Sequence, residues 1–229
     1  MGRPEFGETW VYESIVGAVP GVDISPRAAV LVQFVLFEAA VLVLAAVYDR
    51  WDAAIPGTAA VLVAVAGSAF MHGVAGRLRT ASLPAAYVRA LFGSSVEVVL
   101  GLLAYVALLT YLFVVDPRTP PSLLESLLGD PLPVPAVYLA LLVCWDLCYR
   151  IGTAWWAAVV AAWRSFAFDF DAEATATLRA ADRDTALFAA LQLVLLPAVI
   201  DHPLLAAALV GHVCATFAAV GLSRWGLRN

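Results

Sequence analysis

The chain has 229 residues, 63% of them hydrophobic and 14% charged, with a mean hydropathy of +0.89. Soluble domains carry about 45–50% apolar and 25% charged residues, so this composition excludes an ordinary water-soluble core and places the chain in a bilayer. All 13 basic residues are arginine, against 18 acidic ones and a net charge of −5. That balance argues against a nucleic-acid partner, and without lysine there can be no retinal Schiff base.

Residues 1–27 read as an N-terminal cytoplasmic segment ahead of a transmembrane domain at 28–229. Within it, ETWVYESIVGAV at 8–19 predicts a short amphipathic helix on the inner membrane surface, anchored by Trp10 and Tyr12. The segment is acidic and has no apolar run of the required length, so no secretory leader is expected.

Apolar windows of about 20 residues then predict the spans. The first is Ala28–Tyr48, and the second is Pro56–Gly76, opened by a proline suited to a first turn. The third, Leu91–Val115, is closed by DPRTPP, and SLLESLL at 122–128 reads as an interfacial helix outside. The fourth runs from Pro135 towards Trp163, about 43 Å at 1.5 Å per residue, which exceeds the ~30 Å hydrocarbon layer and requires tilt or protrusion. Next, FDFDAEATATLRAADRD at 168–184 reads as an acidic, salt-solvated cytoplasmic loop in which Asp171 caps a helix entering the fifth span. The fifth span, Thr185–Ile200, is short, and the sixth is Pro203–Leu222. The expected fold is all-α: a polytopic membrane protein, a six-transmembrane-helix bundle with an N-terminal interfacial helix.

Arginine placement sets the expected direction. With a cytoplasmic N-terminus, Arg3, Arg27, Arg77, Arg79, Arg89, Arg164, Arg179, Arg183, Arg224 and Arg228 fall inside, and only Arg50 and Arg118 outside. This bias predicts a multi-pass plasma-membrane protein with both termini cytoplasmic.

The polar residues inside the spans are the candidate site. Asp146 and Arg150 stand at i and i+4 on one helical face, the favourable order for an ion pair, where a lone charge costs about 2.5–3.5 kcal/mol on insertion scales. Two readings follow. In one, the pair is a static clamp. In the other, Glu38, Glu97, Asp146 and Arg150 line a hydrated, inward-facing cavity that handles a cation or proton. Gln192, His72 and His212 fall in the same inner half of the membrane, and no comparable cluster is expected in the outer leaflet. The bland assignments are headgroup contact for His72, a helix-carbonyl bond for His212, and interface anchoring for Trp155, Trp156 and Trp163. Asp201 and His202 read as turn residues in IDHPL.

Ala207, Gly211, Ala215 and Ala219 form a small-residue stripe suited to close helix packing, within the chain or between copies in a homo-oligomer. Cys144, Cys148 and Cys214 read as small buried apolar residues rather than a disulfide or a metal site. No catalytic motif of the hydrolase, P-loop or dinucleotide type occurs, so no catalytic residues and no cofactor are expected.

At FGSSVEVVLG (92–101) and CWDLCYRIGTAWWA (144–157), with PEFGETWVYESIVGAVPG (4–21), the chain resembles a family of haloarchaeal integral membrane proteins of unknown function. The resemblance covers nearly the whole chain but implies no activity and no functional residues. It agrees with the lysine-free acidic composition, which suits molar salt, where a Debye length of about 3 Å screens carboxylate repulsion. The leading expectation is a channel or transporter for cations, protons or a small solute. The alternative is a structural or regulatory membrane partner, and an intramembrane enzyme ranks third.

Overall fold

Ser25 accepts a hydrogen bond from the Ala28 amide (3.2 Å), and Pro26 occupies the first turn behind it. This cap starts helix α1 (Pro26–Val47), where a proline costs nothing because the first amides lack helical partners. In the computed structural model, Trp10 and residues 25–227 are described. The predicted interfacial helix at 8–19 therefore lies outside the described residues, apart from Trp10. Trp10 itself is no surface anchor. It is fully buried, edge-on to Phe92 (4.9 Å between centroids) and stacked on Phe70 (6.4 Å), because that ring pair offers an apolar slot the membrane surface does not.

The remaining helices are α2 (Trp51–Leu78), α3 (Ala85–Val88), α4 (Val96–Thr110), α5 (Leu123–Leu128), α6 (Val134–Ala167), α7 (Ala172–Leu191), α8 (Leu196–Val199) and α9 (Pro203–Gly226). Helix α2 begins at Trp51, so Pro56 lies within it and does not open it. π-helical turns at Arg89–Gly93 and Tyr111–Val115 lengthen the third segment to Ala85–Arg118. Ser95 interrupts it in the left-handed conformation (φ 53°). Helix α6 has 34 residues, about 51 Å.

Among the described residues five helical segments, not six, are long and apolar enough to cross a membrane: α1, α2, Ala85–Arg118, α6 and α9. The expected fifth span, Thr185–Ile200, belongs to a longer rod. Helix α7 runs through a 3₁₀ turn at Gln192–Leu195 into α8, and the first half of the combined rod carries Glu173, Arg179, Asp182, Arg183 and Asp184. The expected acidic loop at 168–184 is thus mostly helix. Asp171 caps it as the sequence indicated, accepting from the Ala174 amide at 2.7 Å.

Side-chain bonds fix how the rods lie. Arg50 donates to the Ser126 carbonyl (2.6 Å), and His202 pairs with Asp116 (2.7 Å), so the start of α2, the end of the third segment, α5 and the start of α9 share one end. At the other end, Arg164 of α6 meets Asp182 of α7 (2.5 Å), and Ser223 of α9 donates to the same carboxylate (2.8 Å). Helices α6 and α9 both run from the Asp116 end to the Arg164 end. The rod of α7 and α8 between them must return the chain.

Helix α6 is the hub and packs against every other rod. Its crossing with α4 is very close: a Cβ on Gly152 would lie 2.9 Å from the Gly101 nitrogen, and one on Gly101 would lie 2.9 Å from the Tyr149 Cα. Outside the hub, large apolar side chains such as Leu31, Leu36, Leu103, Phe113, Leu187 and Leu204 face outward, the distribution expected against lipid and not against water. The described residues form an all-helical fold suited to a membrane.

Candidate functional site

Two kinds of place concentrate polar chemistry, and they differ in kind. The first is a lock of closed polar networks. In α6, Asp146 accepts from Arg150 through Nε (3.1 Å) and Nη2 (2.7 Å), as the i, i+4 spacing indicated. The sequence reading missed Gln33 and Ser68. Gln33 of α1 donates to Asp146 Oδ2 (2.7 Å), and Ser68 of α2 donates back to Gln33 (2.5 Å). Arg150 Nη1 also reaches Met71 Sδ (3.5 Å). Three helices are therefore tied at one level. Gly67 makes room for this, since a Cβ there would stand 2.5 Å from Arg150 Cδ. The space beside Gln33 and Asp146 has no room for a water molecule. A lone amide and a lone hydroxyl inside apolar runs were the available signals, and an odd polar residue in a span is a fair prompt to look for a partner.

A second network closes the Arg164 end. Arg164 and Asp182 are both about 2% exposed, and the guanidinium also bonds the Tyr87 hydroxyl (2.7 Å) and the Leu178 carbonyl (3.3 Å). Asp182 was expected on a salt-solvated surface. It is buried because α7 folds back onto α6 and α9, a placement no local pattern encodes. Two residues on, Asp184 pairs with Arg77 in a partly exposed setting. Trp156 donates to the Ala90 carbonyl (3.0 Å), and Trp155 meets His212 edge-on at 6.0 Å. Trp163 remains 45% exposed.

A third cluster lies at the Asp116 end, where none was expected. Asp116 accepts from the Leu123 amide (2.5 Å) and the Tyr111 hydroxyl (3.0 Å), and it pairs with His202. His202 is thus more than a turn residue, whereas Asp201 is exposed. The expected outer interfacial helix is α5. A capping box between Ser122 and Glu125 starts it, and it turns Leu123 and Leu124 into the bundle.

The second kind of place is a cavity of about 640 Å³ between the Asp116 end and mid-bundle, walled by α1, α2, α4, α5, α6, the α7–α8 rod and α9. Its walls are almost wholly apolar: leucines of α5, Leu139 and Leu147 of α6, Leu195 of the rod and Leu209 of α9. Cys144 and Cys148 contribute thiols, both free. Gln192 and His212 line its deep end, and Arg50 and Tyr48 its outer end. This size is typical of sites for small molecules.

The predicted site residues stand in different local settings. Asp146 and Arg150 are bonded together, but Glu38 accepts from Thr58 on α2 (2.7 Å), and Glu97 is fully buried in the first turn of α4. His72 is half-buried on α2. Of the seven candidates, only Gln192 and His212 line the large cavity; Glu38, Glu97, Asp146, Arg150 and His72 do not. Beside Asp146, where a hydrated cavity was expected, the space has no room for a water molecule. Desolvation drives a charge to close contacts, and the amide of Gln33 supplies one that the sequence reading had left to water. The packing stripe divides too: Ala219 packs beside Ala158, whereas Ala207, Gly211 and Ala215 face outward.

Residues 5–223 match the family described as "Family of unknown function (DUF7530)". The chain belongs to that family. No curated protein and no solved structure matches it. Membership of the DUF7530 family carries no activity with it, so function rests on the geometry above.

Proposed function

We propose that this chain is a membrane-embedded binding protein for a lipid-soluble small molecule, held in the central cavity, and not a conduit for ions. The carrying observation is the cavity itself, about 640 Å³ with almost wholly apolar walls. An ion pathway needs hydrated or charge-lined space, and Asp146, Arg150, Arg164 and Asp182 are spent on closed networks outside the cavity. Apolar walls reject ions but retain hydrocarbon, and dry apolar cavities bind apolar guests.

In this proposal the α7–α8 rod is a sixth, packed crossing, whose charged half ends where Asp182 meets Arg164. The Arg164 end faces the cytoplasm, the side richer in arginine, and both termini lie there in the plasma membrane. A salt-adapted, haloarchaeal-type source fits the acidic, lysine-free composition. A homo-oligomer is a second reading, favoured by outward-facing Ala207, Gly211 and Ala215, with nothing within 4 Å of a Cβ built on Gly211. Cross-linking in membranes at Gly211→Cys would report it.

The test of the main reading is photolabelling of the purified protein in lipid nanodiscs with a long-chain diazirine probe, followed by peptide mapping. Adducts on α6 and the α7–α8 rod that vanish in the cavity-filling variant Ala140→Phe support binding. Labelling confined to the outer faces of α1 and α9, or ion flux in proteoliposomes well above empty controls, defeats it.

A further inference from the structure

Gln192 sets a chemical demand on whatever fills the cavity. Its side chain is fully buried, it lines the cavity, and among the described residues neither its amide nitrogen nor its amide oxygen has a hydrogen-bond partner. A buried polar group left unsatisfied is costly, and each such group in a folded protein calls for an explanation. The cavity lining is otherwise mostly apolar, Leu147, Ile151 and Leu195 among it, with the Cys148 thiol and His212 as polar exceptions that Gln192 does not bond.

Position narrows the demand. Along α6 the cavity lining runs from Pro133 at the Asp116 end to Ile151, a rise of about 27 Å. Gln192 and His212 close the deep end, while Arg50 sits at the other. The site is thus long, apolar along its length and hydrogen-bonding at its deep end, and the one arginine at its other end, Arg50, is already paired with Asp52 (3.0 Å). A bilayer phospholipid entering head-outward would bring only a methyl end to Gln192. A fatty acid would carry a carboxylate into a chamber whose one arginine, Arg50, is already occupied by Asp52 and the Ser126 carbonyl.

Resting on the binding reading above, we infer that the ligand is an elongated neutral lipid that ends in a carbonyl or hydroxyl group, inserted with that polar end inward against Gln192. The carboxamide suits either end group, donating through Nε2 to a carbonyl and both donating to and accepting from a hydroxyl. His212 on the facing helix is a second polar neighbour at the same depth.

The experiment compares three photoactivatable probes of equal chain length in nanodiscs of phosphatidylglycerol: a terminal ketone, the matching hydrocarbon and the matching fatty acid. Intact-mass spectrometry reads the labelled fraction. The ketone should label the parent about tenfold more strongly than the hydrocarbon, the ratio one neutral hydrogen bond supplies. Gln192→Met should bring the ketone down to the hydrocarbon level and leave the hydrocarbon unchanged. Gln192→Glu, which keeps shape and an acceptor, serves as a second variant should the first unfold, and there the ketone preference should also fall. Equal ketone and hydrocarbon labelling in the parent, or preference for the fatty acid, overturns the inference while leaving the cavity a binding site. If no probe labels the cavity walls, the binding reading itself fails.

Discussion

Asp182 and Asp184 lie two residues apart on α7, each paired with an arginine, yet they should differ sharply in worth. Asp182 and Arg164 have side chains about 2% exposed and share their carboxylate and guanidinium with Ser223 and Tyr87. The Arg77–Asp184 pair is 42% and 20% exposed. Asp182→Asn would leave a guanidinium buried with no compensating charge, at a cost of about 3–5 kcal/mol. For a chain of this size that is a fall in Tm of about 6–20 °C, at ~2–4 °C per kcal/mol. Asp184→Asn should cost about 1 kcal/mol or less, and less still in high salt, because solvent and ions screen that pair. The assay is thermal unfolding in mild detergent followed by circular dichroism, at 0.15 M and 2 M salt. A compensating variant sharpens it. Replacing the network with Arg164→Met, Asp182→Leu and Tyr87→Phe should restore most of the loss, since apolar substitutes remove the buried charges together. Equal losses for the two aspartate variants, or a triple variant no better than Asp182→Asn, would show that the buried network does not hold the Arg164 end.

The same measurement checks two further expectations, and limited proteolysis checks a third. Gln33→Leu removes the bridge from α1 to Asp146 and Ser68, and should destabilise by about 1–3 kcal/mol without changing the hydrocarbon-probe labelling of the cavity. Gly101→Val places side-chain carbons against the Tyr149 backbone, which cannot give way, so α4 and α6 must separate at about 1–3 kcal/mol or more; an unchanged Tm refutes the close crossing. Asp116→Leu frees the Leu123 amide and His202 together, and should expose the α5 segment to limited proteolysis before the rest of the bundle unfolds.

Composition and apolar run length were enough to indicate helices long and apolar enough to cross a membrane. Hydropathy reports transfer into lipid one residue at a time, and that needs no knowledge of neighbours. The Asp146–Arg150 pair and the Asp171 cap were legible for the same reason, since a spacing of three or four residues is local helix geometry. The burial of Asp182, the amide bridge from Gln33, the pairing of His202 with Asp116 and the inward turn of Trp10 were not legible. Each depends on which rod lies beside which, and contacts 18 to 113 residues apart leave no trace in local periodicity. The cavity was beyond the sequence for a further reason. A void is defined by the atoms that fail to meet, so leucines that fill a core and leucines that wall a chamber read alike until seven elements are set around them.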